Sequence, residues 1–128
     1  MKELNFNIEY LFSELSNTDK DIEVLLNNPT EFPTDIIEQL SIKTALSYWI
    51  GKIDYKTGDY IMNQIFGFWT TNQYYFENFV FPEIAWDCFN AFDSGEFYHN
   101  EDDREIDPIE KYTKPAIEKL LRDRKLIS

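Results

Sequence analysis

Asp93, Glu96 and His99 recur at every third position, and all three can ligate a metal or exchange a proton. Carboxylates and an imidazole are donor types that a divalent metal accepts. On a helix Asp93 and Glu96 would be neighbours. Asp102 and Asp103 follow closely enough to add oxygens. Gly95 argues against this chemistry, because it lies inside the set and a glycine is expected to end a helix there through the left-handed conformation. Asp93-Ser94-Gly95-Glu96 also lacks the alternating oxygen ligands of an EF-hand loop. The expectation is a structural or solvated set that holds no metal. The alternative is a metal-dependent enzyme using Asp93, Glu96 and His99.

Other catalytic readings are weaker. Paired carboxylates suit glycoside hydrolysis, yet 24 Asp and Glu make chance pairs certain. Cys88 and His99 form a conceivable dyad that nothing else in the chain supports. The single cysteine excludes an internal disulfide and fits a reducing compartment. As a residue on an apolar helix face, it reads as a small buried hydrophobe. There is no Gly-rich phosphate loop, no zinc spacing and no nucleophile motif. The chain is therefore expected to be no enzyme and to need no cofactor.

The binding signal is stronger. From Glu83 to Glu110 there are ten acids and one base, a local charge of −9. Such a block is either solvated or meets a partner. It opens as a helix, with Pro82 suited to the first helical position and Ile84, Ala85, Cys88, Phe89, Ala91 and Phe92 on one apolar face. Glu83, Asp87, Asn90 and Asp93 fall opposite, and Trp86 sits among them. A Trp on a polar face either anchors an interface or is covered by its own chain. The candidate partner-binding set is Trp86, Asp87, Asp93, Glu96, Tyr98, Glu101, Asp102, Asp103 and Glu105.

The whole chain carries −12, which makes nucleic acid and acidic membrane surfaces poor partners and a basic protein a good one. At 128 residues it is expected to be a single domain, residues 1–128, with its own core. An aromatic content of 17% argues against disorder. No secretory signal or long apolar run is evident, so the expected location is the cytoplasm.

The elements that must position these residues read as successive helices. Leu4, Ile8, Leu11, Phe12 and Leu15 make one stripe. Thr18 resembles an N-cap for a second helix through Ile22, Leu25 and Leu26, ended by Pro29. A third begins at Pro33-Thr34-Asp35, is patterned by Ile36, Ile37, Leu40, Leu46, Trp49 and Ile50, and closes at Gly51. A fourth is preferred over Asp59 to Trp69, with a hairpin turning at Lys56-Thr57-Gly58 as the alternative. Asn72 to Phe81, rich in Tyr and Phe, is either a strand or an irregular packed segment. A last helix starts near Pro115, and the tail from Lys111, with six bases and two acids, is free to fold against the acidic run. The expected fold is a mainly α, compact helical bundle of five or six helices. A small hairpin or strand between residues 53 and 81 stays open. The expected core includes Leu11, Phe12, Ile37, Leu40, Trp49, Ile65, Phe66, Cys88, Phe89, Phe92, Leu120 and Leu121.

A small, acidic, aromatic-rich domain without catalytic motifs resembles the immunity proteins of bacterial toxin systems, including contact-dependent inhibition systems. The acidic run Asp93 to Asp107 and the helix Pro82 to Phe92 with Trp86 carry the resemblance. It implies a protein that binds a cognate basic toxin, often a nuclease, and blocks its active site or substrate surface. A phage-type DNA mimic, which blocks a nucleic-acid-binding protein, is a further alternative.

Overall fold

A computed structural model describes residues 8–17, 34–71 and 73–127. Six α-helices follow in order: α1 (Ile8–Asn17), α2 (Thr34–Trp49), α3 (Tyr55–Thr71), α4 (Gln73–Asn78), α5 (Glu83–Asp93) and α6 (Lys114–Asp123). A π-helical turn, Ile109–Thr113, runs straight into α6. No strand occurs among the described residues. The beginning of the first stripe at Leu4, the helix from Thr18 through Leu26, Pro33 and Asn72 lie outside them.

Helix α5 is the centre, packed against α2, α3 and α6. Ile37, Leu40, Ile61, Ile65, Ala85, Cys88, Phe92, Ile117 and Leu121 are fully buried around it. Most of the expected core is there; Phe12 and Phe89 lie partly buried at its edge, and Phe66 is only partly buried. Trp49 is a correction, being 36% exposed. The buried face of α2 does not follow Leu46, Trp49 and Ile50. It continues through Ser41, Thr44, Ala45 and Ser47. Ser41 and Thr44 can be buried because their hydroxyls donate back to the carbonyls of Ile37 and Leu40, at 2.8 and 2.7 Å. Small residues there let α5 approach closely, to the point that the Cys88 thiol lies 3.7 Å from the Ser41 carbonyl oxygen.

Helix α2 ends as expected at Gly51, which takes φ 83°. The N–H of Lys52 reaches the Ser47 carbonyl and that of Gly51 the Tyr48 carbonyl, at 2.8 and 3.1 Å, a Schellman closure. Helix α3 starts at Tyr55 rather than Asp59, and no hairpin forms. Asp54 accepts the N–H of Thr57 at 2.9 Å and so caps the first turn. The Thr57 side chain first, and then that N–H, hold the Asp54 carboxyl below its usual range. Within the segment expected as strand or irregular, Gln73–Asn78 forms α4 and residues 79–81 an open linker. Pro82 occupies the N-cap of α5 instead of its first turn.

The two glycines at the α3–α5 contact are there for space. A Cβ on Gly58 would lie 2.5 Å from two ring carbons of Phe92. That ring is enclosed by Tyr48, edge-on at 5.2 Å, and by Tyr55 at 5.7 Å. Gly95 does not take the left-handed conformation expected of it, since Gly51 alone has positive φ among the described glycines. It follows the end of α5 because a Cβ would collide with Thr113 Oγ1. Thr113 is fully buried and donates to the Ala91 carbonyl at 2.7 Å, tying the π-helical turn to α5.

Candidate functional site

The candidate site has two parts, a layer of aromatic rings and the acidic run beside it. The rings come from α3, α4, α5 and the linker before α5. Phe66 stacks on Phe89 at 4.1 Å and on Trp86 at 5.5 Å. Phe81 meets Trp69 edge-on at 5.1 Å and Trp86 at 6.3 Å, nearly perpendicular. Together Phe66, Trp69, Thr70, Phe76, Phe81 and Trp86 enclose a pocket of about 200 Å³. Its outer wall remains open, with Trp86 47% and Phe76 61% exposed. Trp86 thus belongs to the polar face of α5 and also rests on the chain's own rings.

Much of the acidic run is engaged within the molecule. Asp102 accepts bonds from Lys111 Nζ and, at 2.5 Å, from the Tyr112 hydroxyl. The lysine first, then the tyrosine, hold its carboxyl below the usual range. Asp87 pairs with Arg124 at 2.9 Å. The basic tail therefore folds onto the acidic run at these two points. Asp103 accepts the N–H of Glu105, and Asp107 that of Ile109, at 3.1 and 2.9 Å. Glu101, Asp103, Glu105 and Tyr98 are exposed. Arg104 lies over the Tyr98 ring at 5.4 Å.

The Asp93, Glu96 and His99 set does not assemble. His99 turns away, stacked on Tyr112 at 3.8 Å and Phe97 at 5.0 Å. Its Nε2–H donates to the Ser94 carbonyl at 2.8 Å. The acid that joins Asp93 and Glu96 is Asp59 of α3. Asn63 donates to Glu96 Oε1 at 3.2 Å and to Asp59 Oδ2 at 3.4 Å. Burial, then the hydrogen bond and charge of Glu96, push Asp59 up to about 7. Burial and then Glu96 raise Asp93 as well. Glu96 moves the other way, chiefly because Asp59 donates to it. One proton shared from Asp59 to a charged Glu96 accounts for both directions. Among the described residues no group of three His, Cys, Asp or Glu is arranged to hold a metal ion.

Sequence reasoning missed Phe66, Trp69, Phe76 and Phe81 as a site, and Asp59 as part of the carboxylate cluster. One signal was available. From Thr57 to Asp103 the chain has nine acids and no Lys or Arg. Those residues supply nearly all of α3 and the whole of α4 and α5.

No family model matches the chain, and neither the curated proteins nor the solved structures contain one similar to it. No helix among the described residues is long and apolar enough to cross a membrane.

Proposed function

We propose that this chain is a binding protein for a cationic protein partner, and that the partner is a bacterial toxin, such as a nuclease, which it neutralises by complex formation in the cytoplasm. The observation that carries the reading is the base-free stretch from Thr57 to Asp103, whose helices present an open aromatic pocket. A field of one sign draws in an oppositely charged partner, and exposed aromatic rings supply the contacts that hold it. Glu101, Asp103 and Glu105 remain exposed to meet Lys and Arg across an interface. Asp102 and Asp87 serve the fold through Lys111 and Arg124. The protein's part is occlusion, with no catalysis of its own.

The test pairs the chain with the cationic domains encoded by the genes on either side of its own, expressed and assayed for toxicity. Titration calorimetry at two salt concentrations should give a 1:1 complex that weakens with salt, and toxin activity should disappear at stoichiometric chain. Undiminished toxin activity with the chain in excess would refute the reading.

A further inference from the structure

The pocket between α3, α4 and α5 has walls of almost pure carbon. Phe66, Trp69, Phe76, Phe81 and Trp86 supply the rings, and Thr70 supplies the only hydroxyl. That hydroxyl is already committed to the Phe66 carbonyl at 3.0 Å. The chemistry the pocket can recognise is therefore apolar. Its size narrows the choice further. At about 200 Å³ it falls below the ~300–1,000 Å³ of pockets that take cofactors and drug-sized ligands. It suits one large side chain.

Charge then selects what carries that side chain. The stretch from Thr57 to Asp103, which supplies every residue lining the pocket, contains no Lys or Arg. Exposed Glu77 directly follows Phe76 in α4, and exposed Glu83 precedes Trp86 by three positions in α5. Residues three apart on a helix lie one turn from each other, so Glu83 stands within a turn of Trp86, beside the groove it lines with Asp87 and with Lys119 of α6. An acidic segment brought to this rim would meet like charges, whereas a basic one would meet complementary charges.

We propose that the pocket takes a single large apolar side chain, such as Leu or Phe, presented by a Lys- or Arg-bearing segment of a protein partner. This deepens the reading of a cationic partner and rests on it. The apolar side chain fills the space between Phe76, Phe81 and Trp86, while its basic neighbours lie against Glu77 and Glu83. Charge sets the rate of encounter, and burial of the anchor sets the rate of departure.

The test uses three synthetic peptides of equal length. One has Leu and Lys at helical spacing, the second has Glu in place of each Lys, and the third is lysine only. Trp49→Phe removes the tryptophan outside the pocket, so that Trp69 and Trp86 report binding by fluorescence. The leucine–lysine peptide should bind saturably and change the emission. The glutamate peptide should not bind, and the lysine-only peptide should leave the emission unchanged. Phe76→Ser, at an exposed position, and Trp86→Ala should each weaken the leucine–lysine peptide about tenfold or more. Circular dichroism would confirm that both variants remain folded, and Phe76→Ser carries the test if Trp86→Ala does not.

Equal binding of the glutamate peptide, an equal response to lysine alone, or unchanged affinity in a folded variant would each overturn the proposal. So would a dimer in sedimentation that Trp86→Ala dissociates, because a second copy would then fill the pocket. The two readings fail separately. If the leucine–lysine peptide behaves as expected and no toxin is neutralised, only the toxin assignment falls. If a toxin is neutralised equally well by Phe76→Ser and Trp86→Ala, only the pocket assignment falls.

Discussion

Asp59→Asn tests the carboxylate cluster at the start of α3. Burial, and then Glu96 and Asp93, raise the Asp59 carboxyl from 3.8 to about 7. A raised acid binds its proton more tightly in the folded chain than in the unfolded one. Its stabilising contribution is therefore fully present below about 4 and is lost as pH rises through about 7. The displacement corresponds to about 4 kcal/mol before screening. Asp59 is only half-buried and solvent weakens the repulsion, so about 1–2 kcal/mol is the realistic cost above neutrality. Asn at this position keeps the shape, removes the charge, and retains a donor for Glu96. Thermal melts of both proteins from pH 5 to 8 would measure the effect, at about 3–5 °C per kcal/mol for a chain of this size. The rest of the chain's negative charge acts on both proteins alike, so the difference between them is the readout. Asp59→Asn should be more stable than the parent at pH 8, with the advantage shrinking toward pH 5. A parent whose melting point rises from pH 5 to 8 relative to the variant, or a variant less stable at pH 8, would refute the shared-proton account.

Gly58→Ala should cost about 1–3 kcal/mol in urea unfolding, because its Cβ would sit 2.5 Å from a Phe92 ring that is fully buried and has nowhere to turn. Replacing Phe92 by Leu should lower that cost, giving a measurable coupling between the two sites. Tyr48→Phe should be neutral or stabilise by about 1 kcal/mol, because the Tyr48 hydroxyl is buried with no partner among the described residues while its ring keeps the edge contact with Phe92. Clear destabilisation by Tyr48→Phe would contradict that. Burial pushes the Cys88 thiol far up, so it should resist a disulfide reagent in the folded protein and react fully in denaturant; prompt labelling of the native chain would show that α5 is not held as described.

The helical bundle was legible because its strongest stripes, such as Ile61, Met62 and Ile65 in α3, follow the period of a helix closely. Boundaries were less legible where one residue serves two purposes. Gly58 and Gly95 both read as turn or stop residues, yet each makes room for a partner distant in sequence, Phe92 and Thr113 respectively. Trp49 read as core because it is apolar at the right spacing. The packed face of α2 instead runs through Ser41 and Thr44, whose hydroxyls are hidden by bonds within their own helix. The Asp93, Glu96 and His99 set failed for a similar reason. Spacing along the chain could not show that Asp59, from another helix, would replace the imidazole. The aromatic pocket was invisible to periodicity, since it draws one or two rings from each of several elements.

The distribution of charge separates two uses of the acids. An acidic surface that served only to keep the chain dispersed would mix both signs over it. Here the signs are segregated. Six bases lie from Lys111 onward, and two of them, Lys111 and Arg124, reach back to Asp102 and Asp87. These pairs stitch the π-helical turn to the loop before it and α6 to α5. None of the bases lies between Thr57 and Asp103. The fold thus has cations at hand and keeps them out of the stretch from Thr57 to Asp103, which supplies every ring of an apolar pocket whose wall stays open. Like charges held close raise the energy of the folded chain, and at Asp59 the charges of Glu96 and Asp93 add to burial in holding the carboxyl up. A basic partner that seats an apolar side chain between Phe76 and Trp86 would relieve the repulsion and close the pocket in the same step.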